Sequence, residues 1–98
     1  MSSAKLNQEA LSCLAERLPL WQLSADQSSL HRRFEFDDFA QAFAFMAQMA
    51  KVSEEMDHHP DWRNVYRHVE VTLTTHDAGG LTQLDLKWAA AADLIKPS

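Results

Sequence analysis

Five histidines and fourteen carboxylates occur in this 98-residue chain, and their spacing decides what chemistry they could do. The densest group is Glu54-Glu55-Met56-Asp57-His58-His59-Pro60. Its carboxylates fall where a helix should end, although a helix C-terminus favours cations. Local rules broken without evident compensation tend to mark functional sites. Glu54 and His58 stand at i,i+4, where a carboxylate can orient or charge an imidazole. Taken alone, a frayed and solvated helix end describes the same residues. His76 ends a strand pattern just before Gly79-Gly80, at the kind of turn where sheets place site residues. Imidazole, with an ordinary pKa of ~6.5, both donates and accepts protons near neutrality. General acid–base catalysis is the chemistry these residues supply.

Other chemistries lack their residues. His58 and His59 are adjacent and diverge, no H-E-x-x-H occurs, and Cys13 stands alone, so no metal site is expected. Cys13 lies within a helical pattern and no serine carries a nucleophile signature. Phosphate-loop chemistry needs more glycine than one adjacent pair. His31 and His68 fall on the polar parity of strands and read as surface positions. Asp85 has a complete structural account: it is N3 after the N-cap Thr82, a capping-box variant. Trp62 and Tyr66 could wall a flat ligand or simply pack.

The whole chain, 1–98, is expected to form a single domain. Hydrophobic residues make up 46% and charged residues 23%, which is globular composition. A net charge of -5 disfavours direct nucleic-acid or anionic-membrane binding. One cysteine makes no internal disulfide. No apolar run approaches the ~20 residues of a membrane span, and Met1–Lys5 leads into no signal sequence. The expected location is the cytoplasm.

Periodicity supplies the elements that must position the site. A first helix is expected from the N-cap Asn7 to Leu18, with Leu11, Leu14, Ala15 and Leu18 buried. Trp21–Ser24 and Leu30–Phe36 read as strands around a polar turn. Leu30, Phe34 and Phe36 share a face with Arg32, which reads as snorkelling at a rim. Asp37 or Asp38 caps a second helix reaching about His58. That helix has one stripe of Phe39, Ala42, Phe43, Met46 and Ala50, and another of Phe45, Met49, Val52 and Met56. One stripe covers a sheet; a second implies burial between neighbours or a subunit contact, and Phe45 and Met49 are the candidates for that contact.

After Pro60, Asp61–Val65 reads as a short strand and Tyr66-Arg67 as its turn. Val69–Thr75 is the clearest strand, with Val69, Val71, Leu73 and Thr75 facing one way. A last helix, capped by Thr82, should bury Leu84, Trp88, Ala91 and Ile95. The order is α-β-β-α-β-β-α. The fold class is therefore α+β: a four-stranded antiparallel sheet with three helices packed on one face.

Glu54, His58-His59-Pro60, Tyr66, His76 and Asp85 stand in the pattern E-x3-H-H-P-x5-Y-x9-H-x8-D. This resembles the signature of the pterin-4a-carbinolamine dehydratase (4a-hydroxytetrahydrobiopterin dehydratase) family, and no motif position departs from it. Softer similarity takes in Trp21, Phe34-Glu35-Phe36, Phe39, Ala42-Phe43 and Phe45-Met46, and runs from Val69 to Leu94. The resemblance implies a hydro-lyase that removes water from a 4a-hydroxytetrahydropterin, left by aromatic amino acid hydroxylases, giving quinonoid dihydropterin for recycling. It also implies a homodimer or homotetramer with no metal and no organic cofactor. Relatives of the family also act as dimerisation cofactors or assembly factors, so a non-catalytic interaction role is the alternative.

On that reading His58 and His76 are the acid–base pair, and His59 contacts substrate or serves the other stereoisomer at C4a. Glu54 would hold His58, Asp85 would place a charge or hydrogen bond near the pocket, and Pro60 would make the two histidines project differently. Trp62 and Tyr66 complete the expected supporting set.

Overall fold

The computed structural model describes residues 4–98; Met1–Ser3, part of the stretch read as opening no signal sequence, lie outside the described residues. The elements are α1 (Gln8–Ser12), α2 (Leu14–Arg17), β1 (Gln22–Leu23), β2 (Leu30–Glu35), α3 (Phe39–Met56), β3 (Asp61–Val65) and β4 (His68–Leu73). A 3₁₀ turn at His76–Ala78 and α4 (Gln83–Ile95) complete the chain. The strands form one antiparallel sheet in the order β1-β2-β4-β3. The expected α+β architecture is present.

Alternation along the strands decides the faces. Leu30, Arg32 and Phe34 on β2 and Val69, Val71 and Leu73 on β4 are buried. Register sets Phe34 opposite Val69 and Leu30 opposite Leu73, so the central strands present one apolar surface. Onto it α3 lays Ala42, Phe45 and Met49. The Phe45 ring centroid lies 4.6 Å from that of Phe34 and 5.1 Å from that of Phe36. Burying a ring of this kind contributes about 1.5–3 kcal/mol. The opposite sheet face keeps its polar residues and stays open.

Four local expectations are corrected. The first helix is two short ones broken at Cys13. Asn7 does cap α1, accepting the Ala10 N–H at 2.9 Å. Ser12 Oγ, however, donates back to the Glu9 carbonyl at 2.8 Å, a contact that competes with helical continuation. Arg32 is buried rather than snorkelling. Its guanidinium lies 4.0 Å from the Phe34 ring centroid and pairs with Asp93 of α4, which also accepts the Trp21 indole N–H at 3.0 Å.

The stripes of α3 divide the other way. Phe45 and Met49 are core at 2% and 0% exposure, whereas Phe39 and Phe43 stand in solvent at 48% and 56%. The sheet selects the row that meets Phe34 and Phe36, and the remaining apolar row is left outward. In α4 the buried row is Asp85, Leu86, Trp88, Ala89 and Ala92, not the row of Leu84, Ala91 and Ile95. Buried partners of the Asp85 carboxylate turn that side of the helix inward.

Candidate active site

The site begins where α3 stops. Asp57 takes left-handed backbone, φ 50° and ψ 44°, a conformation aspartate tolerates better than most residues. The His58 N–H reaches the Ser53 carbonyl at 3.0 Å and the Asp57 N–H the Glu54 carbonyl at 3.3 Å. These are the paired bonds of a Schellman turn. Ser53 anchors it from inside, its Oγ donating to the Met49 carbonyl at 2.7 Å and accepting the Trp88 indole N–H at 2.8 Å.

The left-handed residue takes His58 off the helical row, so Glu54 does not hold it. Glu54 Oε2 lies 2.6 Å from His59 Nε2 instead, in an exposed pair. His58 is buried, and its Nε2 lies 2.6 Å from Asp85 Oδ1. Asp85 is fully buried at the start of α4, where the helix dipole favours a carboxylate. Its Oδ2 accepts the Thr82 N–H at 3.0 Å and the Thr75 hydroxyl at 2.8 Å. The capping box expected at Thr82 and Asp85 is formed, and the carboxylate does more than cap.

An ionised carboxylate only accepts. The Asp85 contact therefore assigns a proton to His58 Nε2 and, in the neutral ring, a free lone pair to Nδ1. A buried carboxylate that orients an imidazole in this way prepares its other nitrogen to move protons.

His76 opens the 3₁₀ turn, which closes on Gly79 at φ 74°, a left-handed position that glycine occupies without strain. A backbone bridge between Thr75 and Gly80 holds the base of the turn. His58, His59 and His76 line one open cleft together with Thr74, Thr75 and the carboxylates Asp57 and Asp77. Pro60, half-buried, links the histidine pair to β3.

Two residues of the expected supporting set, Trp62 and the motif's Tyr66, lie elsewhere. Trp62 packs edge-on to Trp88 with centroids 6.1 Å apart and is partly buried against the core. Tyr66, 63% exposed and at φ 51°, occupies the far turn of the β3–β4 hairpin. Five residues of β3 at ~3.3 Å each separate it from the histidines. Thr75 was not singled out in the sequence. Its signal was there, as the one polar residue continuing the inward row Val69, Val71, Leu73.

A second groove on the open sheet face, between Arg33, Arg63, His68 and Glu70, contains none of the motif histidines. Among the described residues no group of three or more His, Cys, Asp or Glu is arranged to hold a metal ion. No described helix is long and apolar enough to cross a membrane.

An antiparallel sheet with helices on one face makes this a small α+β protein, in which a carboxylate-held imidazole and two further histidines reach one cleft. The chain belongs to the family described as pterin 4 alpha carbinolamine dehydratase, whose model matches residues 4–95. A relative from Mesorhizobium japonicum, named "Putative pterin-4-alpha-carbinolamine dehydratase", is 49% identical over 89 residues, covering 91% of each chain. One of the same name from Sinorhizobium fredii is 48% identical, covering 95% of this chain and 89% of the relative. Among solved structures, the transcriptional coactivator/pterin dehydratase from Brucella melitensis superposes with a TM-score of 0.88 at 41% identity, over 93% of this chain and 97% of that one. A pterin dehydratase-like protein identified as a RuBisCO assembly factor in the alpha-carboxysome gives a TM-score of 0.67 at 29% identity, over 80% and 90%.

Proposed function

We propose that this chain is a 4a-hydroxytetrahydropterin dehydratase working by histidine general acid–base catalysis. The observation that carries the reading is the meeting of His58, His59 and His76 in one cleft. Dehydration breaks the C4a–O bond as a proton is delivered to the leaving hydroxyl. N5 gives up its proton, the C4a=N5 double bond forms, and water and quinonoid dihydropterin leave. One imidazolium and one neutral imidazole meet that demand. His58, oriented by Asp85, and His76 are the pair we assign, with His58 Nδ1 as the nitrogen that moves a proton. His59, paired with Glu54, contacts substrate or serves the opposite stereoisomer at C4a. Pro60 keeps the two adjacent histidines apart in direction, and Trp62 supports the site through Trp88.

On this reading the enzyme needs no metal or organic cofactor and recycles the pterin of an aromatic amino acid hydroxylase in the cytoplasm. It assembles as a homodimer or homotetramer through the outward face of α3. No charge interrupts Phe39 to Ala50, and the row Phe39, Phe43, Met46, Ala47, Ala50 repeats at the spacing of one helix face. The test is the decay of 4a-hydroxytetrahydropterin followed with and without catalytic amounts of purified protein. Marked acceleration is expected; decay at the uncatalysed rate overturns the proposal.

The same uncharged helix face favours a second reading, an interaction or assembly role that does not use the histidines. The coactivator and assembly-factor descriptions of the two structural neighbours point the same way. A protein inactive on the pterin but captured with a specific partner through Phe39 and Phe43 would establish it.

A further inference from the structure

Thr75 occupies an inward position on the strand-end that follows β4, where Val69, Val71 and Leu73 precede it on the same parity. Its Oγ1 lies 2.8 Å from Asp85 Oδ2 and 2.9 Å from Thr82 Oγ1. A hydroxyl has one proton. With Asp85 ionised, that proton must go to the carboxylate, so Thr75 accepts from Thr82. The Thr82 hydroxyl is in turn filled by the Leu84 N–H at 3.2 Å. The directions run one way: Leu84 N–H to Thr82, Thr82 to Thr75, Thr75 to Asp85.

Oδ2 of Asp85 thus receives the Thr75 hydroxyl and the Thr82 N–H, which leaves Oδ1 for His58. The backbone of the same threonine fixes the other imidazole. Thr75 N–H bonds to the Gly80 carbonyl at 2.9 Å and Gly80 N–H returns to Thr75 at 3.3 Å, clamping the turn that begins at His76. One residue therefore holds His76 through its main chain and His58 through its hydroxyl.

We propose that Thr75 is a positioning residue whose hydroxyl, by tying down Asp85, keeps His58 in the Nε2–H tautomer and in register with His76. The kinetic part of this proposal rests on the dehydratase reading; the tautomer part does not. A hydrogen bond to a charged group carries a weight corresponding to roughly tenfold or more in rate. Thr75→Val removes the proton and keeps the shape, while Thr75→Ser keeps the proton.

The experiment pairs steady-state kinetics with long-range ¹H–¹⁵N imidazole spectra at alkaline pH, where the neutral ring reports its tautomer. Thr75→Val is expected to lower kcat about tenfold at little-changed KM and to turn the single Nε2–H signature of His58 into a mixture. Thr75→Ser is expected to restore both. If the valine variant does not fold, Thr75→Ala against Thr75→Ser makes the same comparison. A hydroxyl-free variant with wild-type kcat and an unchanged His58 signature overturns the proposal, as does a serine variant that restores neither. A wild-type protein without dehydratase activity, whose His58 tautomer still depends on the Thr75 hydroxyl, rejects the dehydratase reading and upholds the positioning role.

Discussion

Asp85 Oδ1 lies 2.6 Å from His58 Nε2 across 27 residues of chain, with the two side chains 0% and 9% exposed. The contact joins the end of α3 to the start of α4 and decides which imidazole nitrogen is left free of the carboxylate.

Asp85→Asn tests that assignment. The amide oxygen can still accept from Thr75 and Thr82, so the amino group faces His58 and requires Nε2 to accept. The ring proton then moves to Nδ1, the wrong tautomer. Turnover should fall by ~10²-fold or more, within the usual weight of positioned proton transfer. Turnover near that of the wild type, in a variant with an unshifted melt, would contradict the assignment.

Ser53 and Trp88 fasten the turn that delivers His58, with the indole N–H 2.8 Å from the hydroxyl. Ser53→Ala strands a buried donor and should cost about 1–3 kcal/mol of stability. Trp88→Phe removes that donor at the expense of packing. The double variant should therefore cost less than the two single changes added together. Additive melts would show that the bond does not couple α3 to α4.

Phe39→Lys combined with Phe43→Glu should reduce the particle mass in light scattering and leave the fold intact, because both rings are exposed in the single chain. Phe45→Ala, in the core, should instead cost about 3–5 kcal/mol. An unchanged mass for the Phe39/Phe43 variant rejects the outward face of α3 as the assembly surface.

The β1–β2 turn carries a pH-dependent feature. Asp26 Oδ1 accepts from Ser28 Oγ at 2.6 Å, from Ser24 Oγ at 2.7 Å and from the Ser28 N–H at 3.1 Å. These bonds, Ser28 first, lower its pKa from 3.8 to about 2. A depressed carboxylate contributes order that is fully present above its unfolded value and is lost as pH falls through its folded one. The Ser28 amide should keep its hydrogen-bonded chemical shift at pH 3.8 and lose it only near pH 2. A midpoint at the ordinary value would remove the serine bonds from the account.

Much of this arrangement was legible in the residues, and the reasons differ by element. Strand faces were readable because period-two alternation in Leu30–Glu35 and Val69–Leu73 survives folding unchanged. Helix faces were harder. The residues 39–50 are uncharged all round, so either row could face the sheet, and only packing against Phe34 and Phe36 selects Phe45 and Met49. At the site, the identities stood out, but the pairings did not. The i,i+4 rule assigned Glu54 to His58 and failed because Asp57 leaves the helix one residue earlier. Asp85 looked complete as a cap, since a contact to His58 leaves no trace in local spacing. Ser53 and Thr75 did leave one. Each is a hydroxyl in an otherwise apolar row, and each proves to anchor the polar network behind His58.

The central claim is that His58 and His76 act as one acid–base pair. The most direct measurement is dehydration turnover for His58→Ala, His76→Ala and the double variant, with thermal melts to establish folding and His31→Ala as the control outside the cleft. Each single change should lower turnover by ~10²–10⁴-fold, and the double should lose far less than the product of the two. A well-folded His76→Ala protein that keeps near-full turnover would contradict the account.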